Sequence, residues 1–502
     1  MKNFKYIIPV LIFCFISCDE DILDKVNQNG PNSDNFLQFE GEAEEATTAI
    51  YDVLTHVGMY KFSFLILGDV PTDNVENGFG DGRYGPDIVR LHNYNWDETN
   101  FYFAQRWNGA YKGIYRANYV LENLDNVVDF KEGKREELEG QALFLRALYY
   151  YNLVAGFGDI PLVTSLLTAE EINSINKSTA EEVWAQIDND LSRASDLLPV
   201  SWPAEEVGRA TKGAAYGLLS RIRLWTGDFS GAEDAADQVD GLGYSLVSTE
   251  DYIKMFDGRM ENSSESIFEA QFVPGFGNFF SDEGSESSLL MHIFPRVPWG
   301  RYVFPRKTDS YDIINDFEND DIRRAASMLI SGVDSIFYVE EDRMSIFPDL
   351  TIHTDFRLDL QTPGAYQTRK WLPYDTNNWQ RGGAFFNEGT AINIPVIRYA
   401  EVILNKAEAL AEQNKLAEAA QALELIRTRA GLAMTDVNVG DQEALLAQIR
   451  NDRRIELIFE GHRWFDLKRW GQLDKLSDAG LNYQGQSNWF IPGPEKDINP
   501  NL

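Results

Sequence analysis

Apolar residues recur at intervals of three and four along much of the chain, which is the spacing of one face of an α-helix. The clearest stretches predict helices over Glu40–His56, Phe101–Asn126 and Arg135–Val154. Another helix is predicted to begin after Thr179, which provides an N-cap with an acid three positions on, and to end before Pro199. The pattern therefore predicts a mainly α protein.

Two distant stretches resemble each other, Ser220–Val239 and Ala407–Ile426. When Gly227 is aligned with Asn414, small and apolar positions coincide on both sides of a turn between two helices. This is the pattern of the latter part of a tetratricopeptide-like helix pair. The separation of the two stretches argues against a tandem array.

Polar and mixed segments interrupt these helices. Residues 240–400 are loop-rich and predict short strands, while Gly68–Asn95 is rich in Gly, Asp and Asn and predicts a long loop. Long structured loops are usually functional. Gly80–Gly85 fits GxGxxG, but a dinucleotide site needs a buried strand before it and a helix after it. A polar loop precedes this motif and Pro86 follows it, so we reject that site.

The chain begins with a short apolar segment. Lys2 and Lys5 precede the eleven-residue run Tyr6–Ile16, which is shorter than the roughly 20 residues that span a bilayer. This is typical of a secretory signal, here over residues 1–17. The break at Cys18 resembles a bacterial lipobox, in which the cysteine becomes the first mature residue and carries diacylglycerol. A plain secretory signal with an incidental cysteine is the alternative.

Composition excludes several classes of function. Cys14 and Cys18 are the two cysteines, so cleavage before Cys18 and lipidation of its thiol would leave no thiol for a nucleophile, metal site or disulfide. None of the five histidines is paired at metal-ligand spacing, and we expect no metal and no cofactor. With 45 basic and 79 acidic residues the formal charge is −34, which repels nucleic acid and anionic headgroups.

A charged run near the C-terminus, 449–471, places opposite charges three and four residues apart, which would lie side by side on one helix. We favour a salt-bridged structural network over acid–base chemistry, with Trp464, Phe465 and Trp470 as core. The sequence FEGHR is not HExxH, so a zinc protease is not supported. The charged members are Arg453, Arg454, Glu456, Glu460, Arg463, Asp466 and Arg469.

Four motifs in order carry a family resemblance: QALFLRALYYYNLVAGFGDIPLV at 141–163, RYAEVILNKAEAL at 398–410, the charged run, and the terminal FIPGPEKDINPNL. Behind a lipobox, they resemble the SusD/RagB family of surface nutrient-binding lipoproteins over essentially the whole mature chain. The resemblance implies tetratricopeptide-like helix pairs packed with a loop-rich, irregular C-terminal half that contains short strands. The expected division is an acidic tether over 18–35 and a composite domain over 36–502, with a helical part 36–240, a loop-rich part 241–502, and a helix pair near 398–471.

The resemblance also implies a role. Such a lipoprotein is anchored by lipid at the outer-membrane surface and acts as a lid on a SusC-like TonB-dependent transporter. It captures a glycan without catalysis, and the acids after Cys18 act as an export signal. The alternatives are an oligopeptide-binding lipoprotein of the same family, a surface glycoside hydrolase whose paired carboxylates could hide among 79 acids, and a purely structural partner that closes the transporter.

Sugars present flat C–H faces and many hydroxyls, so they need aromatic platforms and planar polar groups. Five of the eleven tryptophans lie on helical patterns and are predicted core: Trp107, Trp184, Trp225, Trp464 and Trp470. We place the site where the Gly68–Trp96 loop meets the Phe294–Phe304 loop. Its candidate residues are Asn77, Arg83, Tyr84 and Trp96 from the first loop, and Arg296, Trp299 and Tyr302 from the second. These residues could instead be loop anchors, in which case the site is expected near Trp371 and Trp379.

Lipidation at Cys18 gives the first prediction. Replacing Cys18 with Ala removes the acceptor thiol, so the protein should no longer be labelled by fatty acid. It should also leave the membrane fraction, because each buried methylene of the acyl chains contributes about 0.8 kcal/mol to anchoring. Unchanged labelling would contradict the lipobox.

The proposed export signal gives a second prediction. A variant with Asp19, Glu20 and Asp21 changed to Ala should stay lipidated but become protected from externally added protease.

Overall fold

The computed structural model describes residues 37–76, 85–273, 281–282, 284, 286–289, 293, 303–330, 366–372 and 390–502. Helices dominate, which confirms the mainly α prediction. They are α1 Glu40–Asp52, α2 Ser63–Asp69, α3 Pro86–His92, α4 Phe101–Asn123, α5 Lys134–Phe157, α6 Ala169–Ile172, α7 Ala180–Leu197, α8 Lys212–Thr226, α9 Phe229–Asp240, α10 Ile322–Ser327, α11 Tyr399–Glu412, α12 Leu416–Arg429, α13 Gln442–Glu456, α14 Arg463–Arg469, α15 Lys475–Asp478 and α16 Gly493–Ile498. Within these ranges no helix is both long and apolar enough to cross a membrane.

The N-terminal helices pack in succession, α4 on α5, α5 on α7, α7 on α8 and α8 on α9. Helix α5 is buried on all sides over its last two-thirds, as expected of a helix that is apolar all round. The prediction at Thr179 is confirmed: the Glu182 amide donates to its hydroxyl at 3.3 Å, and its own amide donates to the Glu182 carboxylate at 2.9 Å.

Both predicted helix pairs are present. Helices α8 and α9 turn at Gly227 (φ 75°), and α11 and α12 turn at Asn414 (φ 62°), the left-handed conformation that Gly and Asn tolerate best. The two pairs also contact each other, since α9 packs on α11. Leu224, Ala232 and Ala409 form a small buried cluster there. Segments far apart in sequence are therefore neighbours in the fold.

In the part of the chain that the structure describes, short strands pair in three antiparallel two-stranded sheets, β1–β3, β2–β6 and β4–β5. The last five fall between residues 240 and 400, which confirms the prediction of short strands in that region. The strands are β1 Val75–Glu76, β2 Ser266–Ala270, β3 Phe304–Pro305, β4 Met328–Ile330, β5 Tyr366–Thr368 and β6 Ile394–Arg398.

The prediction of one long loop over Gly68–Asn95 is wrong in part. The segment includes the end of α2, strand β1 and helix α3, which has Pro86 in its first turn, where a missing N–H is tolerated. A helix therefore does follow the GxGxxG motif. The dinucleotide site is still excluded, because β1 has two residues and pairs antiparallel with β3 rather than in a parallel βαβ unit.

The charged run forms two helices rather than the single helix that the spacing predicted. Helix α13 ends at Glu456 and α14 begins at Arg463, and the chain turns at Phe459 (φ 60°) and Gly461 (φ 81°). A Cβ at Gly461 would lie 2.7 Å from the Phe64 carbonyl oxygen. The predicted ion-pair network is confirmed, but its members pair mostly between elements.

Candidate functional site

The two predicted loop segments meet at the pairing of β1 with β3, where Val75 lies opposite Pro305 and Glu76 opposite Phe304. We call residues 73–76 and 303–307 the β1–β3 junction. It fixes the base of each loop, because Asn77 follows Glu76 directly and Tyr302 precedes Val303. Six of the seven predicted ligand-binding residues lie outside the described residues and stay predictions: Asn77, Arg83, Tyr84, Arg296, Trp299 and Tyr302. The fallback candidate Trp379 lies outside them as well.

A fixed set of polar groups surrounds the junction. The Arg306 guanidinium is almost fully buried and donates to the Glu76 carboxylate and, at 3.2 Å, to the Ala479 carbonyl. The Glu76 side chain is 31% exposed, and its other oxygen lies 3.5 Å from Nε2 of His92. Nδ1 of His92 lies 3.2 Å from the Val70 carbonyl. The Glu76 carboxylate is therefore held between the Arg306 guanidinium and the His92 imidazole, and part of it is exposed at the surface.

Lys307 adds a positioned cation at the same edge. Its ammonium lies 4.5 Å from the centroid of the Tyr366 ring and 3.2 Å from the Tyr366 hydroxyl. That hydroxyl donates to Asp312 at 3.0 Å. The bond to Tyr366 raises the pKa of Lys307 above its ordinary value, so the side chain is charged at neutral pH.

The charged run anchors the junction from behind. Arg463 binds Asp73 through two 2.8 Å hydrogen bonds, and Arg454 donates to Asn74 Oδ1 at 2.9 Å while it pairs with Asp73 at 3.3 Å. Burial would raise the pKa of Asp73, but these two guanidinium groups outweigh it and hold that pKa below its ordinary value. Asp73 is therefore a permanent anion that holds β1 against α13 and α14.

Asp69 makes a second attachment between the junction and the α13–α14 turn. Its carboxylate accepts from the Gly461 amide at 2.7 Å and from the Asn74 side chain at 2.9 Å. Burial raises the pKa of Asp69 to about 6, and these two bonds oppose the rise. Gly68 is needed beside it, because a Cβ there would come within 2.1 Å of the Gly461 carbonyl oxygen. Helix α2 and the α13–α14 turn are thus in direct backbone contact.

Trp96 is not the exposed platform that the sequence predicted. It is 5% exposed, and its ring lies 5.5 Å from that of Tyr94, 6.1 Å from Phe103 and 5.8 Å from Trp464. Its faces are covered because the charged run brings Trp464 against it from nearly 370 positions away. Trp96 is therefore a core residue in this structure.

The fallback candidate Trp371 is equally enclosed. It is 1% exposed, donates from Nε1 to the Phe459 carbonyl at 2.8 Å, and makes edge contacts with Phe64 and Phe256. Of the five tryptophans predicted as core, Trp107 and Trp464 are buried, whereas Trp184, Trp225 and Trp470 are partly buried. The helical pattern was thus a sounder guide to burial than the loop context.

Sequence reasoning missed Glu76, His92, Arg306 and Lys307. Glu76 and His92 fall inside the first predicted segment, and Arg306 and Lys307 lie just beyond the second. The one indication in the sequence was their position beside the two predicted segments. The pairing of Glu76 with Arg306 could not be read from the sequence, because it spans 230 residues. Together they can hydrogen-bond hydroxyl, amide or carboxylate groups of a ligand. In the described ranges no group of three His, Cys, Asp or Glu side chains could hold a metal ion.

The described residues thus form a helical scaffold that joins, at a polar junction, the two segments predicted to bind a ligand. The SusD family model matches residues 223–498, and a second model, described as starch-binding associating with outer membrane, matches residues 23–224. The chain belongs to the SusD family.

Individual relatives cover nearly the full length. SusD-like protein P25 of Formosa agariphila is 26% identical over 98% of this chain and 96% of its own, and SusD-like protein P2 of the same organism is 25% identical over 100% and 99%. A laminarin binding SusD-like protein of known structure is 26% identical, with a TM-score of 0.75 over 92% of this chain and 98% of its own. Surface glycan-binding protein A from Bacteroides thetaiotaomicron, solved in complex with laminarihexaose, has a TM-score of 0.75 over the same shares; at 24% identity this likeness shows the fold alone.

The burial of Trp96 gives a prediction about stability. Trp96→Ala should lower the free energy of unfolding by about 3–5 kcal/mol, because it leaves a cavity among packed rings. Urea denaturation followed by circular dichroism measures this change. The 45% exposed Phe490 offers a matched control, since Phe490→Ala should change stability by only about 0.5 kcal/mol. Equal stability of Trp96→Ala and wild type would show that the ring is not part of the core.

Proposed function

We propose that this protein captures glycans at the β1–β3 junction and the two loops that leave it. The observation that carries the proposal is the pairing of β1 with β3, which joins two segments rich in aromatic and planar polar residues. Glu76, held by the buried Arg306, and Lys307, held by Tyr366, are partly exposed and supply the fixed hydrogen-bonding groups that sugar hydroxyls require. Trp299 and Tyr302 are the candidate stacking faces beside them. The laminarin binding relative supports a glycan over a peptide as the ligand.

The proposed activity is binding without bond cleavage. A glycosidase needs one carboxylic acid that is protonated at working pH and a second carboxylate across the scissile bond. Asp73 does not suit the acid role, because Arg454 and Arg463 keep its pKa below the ordinary value. Glu76 is engaged by Arg306 and faces His92. These pairings favour a rigid recognition surface.

The proposed setting is the outer-membrane surface. The family description, starch-binding associating with outer membrane, supports this location. The lipobox at Cys18 would supply the anchor, and the acids at 19–24 would serve surface export. In this arrangement the protein acts as a lid on a SusC-like TonB-dependent transporter, to which it passes the captured glycan.

The glycan proposal predicts a measurable affinity. Affinity electrophoresis through gels containing laminarin, starch or other polysaccharides should retard the wild type, and calorimetry on oligosaccharides of the retarding polymer should then give a dissociation constant. Trp299→Ala should weaken binding about tenfold, because an aromatic platform contributes about 1.4 kcal/mol beyond area burial. Phe490→Ala is the matched control and should bind as the wild type does. If no polysaccharide retards the protein while a peptide mixture binds, the oligopeptide alternative replaces this proposal.

The transporter proposal predicts a stable complex. Solubilisation of native membranes in mild detergent, followed by purification of this lipoprotein, should recover a TonB-dependent barrel with it. Permanent interfaces of this kind often bury more than roughly 2,000 Å². Recovery of the lipoprotein alone, from membranes in which the barrel is expressed, would count against the lid.

A further inference from the structure

A cleft separate from the junction lies between the α7–α8 connection and the edge of strand β2. We propose that this cleft, bounded by residues 200–211, 242–244 and 262–269, is a second binding site for a neutral saccharide segment. Its volume is about 300 Å³, at the lower end of the range for ligand pockets. The inference rests on the proposed function, because it assumes that the same glycan chain reaches both sites.

Trp202 forms one wall of this cleft and is held in a fixed orientation. Its Nε1 donates to the Ala210 carbonyl at 2.7 Å, which closes the connection on itself. The Arg209 guanidinium lies 5.7 Å from the centre of the ring and pairs with Glu206 at 2.9 Å. Gly208 (φ 97°) presses the connection onto β2, since a Cβ there would lie 2.7 Å from Cγ of Gln271. The half-buried indole is thus positioned before any ligand arrives.

Tyr244 forms the opposite wall with the same rigidity. Its hydroxyl lies 3.0 Å from that of Thr211, and its ring packs against Gly213, where a Cβ would come within 2.4 Å of Cε2. The neighbouring Ser245 exchanges hydrogen bonds with Ser264 at 2.9 and 3.2 Å. Two half-buried aromatic side chains therefore face a common cleft, and neither ring can rotate freely.

A planar amide, that of Asn262, lines the rim. The side chains of Asn262 and Gln271 exchange two hydrogen bonds, at 3.1 and 2.9 Å, and Asn262 is exposed. Glu269 lies at the buried base of the cleft, and its carboxylate accepts hydrogen bonds from the Ser266 hydroxyl and from the backbone N–H of Asn262. Burial raises the pKa of the Glu269 carboxyl group, and this side chain provides no positive charge for an anionic ligand. Arg209, the one cation lining the cleft, is already neutralised by Glu206.

These features together match a sugar ring better than other ligands. Rigid aromatic walls suit the apolar C–H faces of a pyranose, and exposed amide and hydroxyl groups suit its equatorial hydroxyls. The cleft shares no residue with the β1–β3 junction. Two weak sites on one protein would bind a long polymer more tightly than a short oligosaccharide, because the second contact is intramolecular.

The test uses hydrogen exchange measured by mass spectrometry on the full mature chain. Laminarihexaose is the first probe, followed by maltohexaose and xylohexaose, each in large excess. Amide exchange should slow in residues 200–211 and 242–246 as well as around the junction. Trp202→Ala should abolish the protection at 200–211 and leave that at the junction unchanged, whereas Phe490→Ala should alter neither. Thermal unfolding of each variant verifies that it is folded.

The possible outcomes separate the two proposals. Protection confined to the junction overturns the second site and leaves the proposed function intact. Protection confined to the cleft supports the second site and contradicts the assignment of the junction. Protection at neither place with any of the three hexasaccharides overturns the second site, and gel retardation by a polysaccharide then decides the proposed function separately. Protection at the cleft that survives in folded Trp202→Ala also overturns the inference, because the indole would not be a binding wall.

Discussion

The buried ion cluster around Arg398 is the interaction on which the rest of the structure depends. Arg398, the last residue of β6, donates to Glu265, Glu456 and Glu460 at 2.7 to 2.8 Å. These carboxylates come from the start of β2, the end of α13 and the α13–α14 turn. Burying such charges is unfavourable unless all are paired, and removing one partner typically destabilises a protein by about 3–5 kcal/mol. The cluster therefore fixes one relative arrangement of the strands and the C-terminal helices.

That arrangement positions the surface that is proposed to bind glycan. The α13–α14 turn, held by Arg398 through Glu460, presents the Gly461 amide to Asp69, and the flanking Arg454 and Arg463 bind Asp73. Strand β1 is thereby fixed, and β3 pairs with it. The two loops proposed to bind glycan leave from this pair. The charged motif, which carries the family resemblance, is thus a structural support of the proposed site.

Local features were predictable because local physics produces them. The capping box at Thr179, the turns at Gly227 and Asn414, and the helices over 101–126 and 135–154 all depend on residues within a few positions of one another. Two of the predictions that were wrong have separate reasons. Trp96 was predicted to be exposed because its sequence neighbours are polar, yet Trp464 covers it. Helix α3 was missed because glycines and prolines around it suggested a loop, although Pro86 suits a helix start.

The sequence by itself determined the helical class, the helix pairs and the family, because periodicity, caps and motifs depend on residues that are consecutive or only a few positions apart. Only the tertiary structure decided which tryptophans are covered, that the two helix pairs pack together, and that Glu76 meets Arg306 across 230 positions. It alone assembled the Trp202–Tyr244 cleft. Burial and charge pairing depend on residues that folding brings together from distant parts of the chain. A local sequence pattern does not determine which distant residue will contact a given side chain.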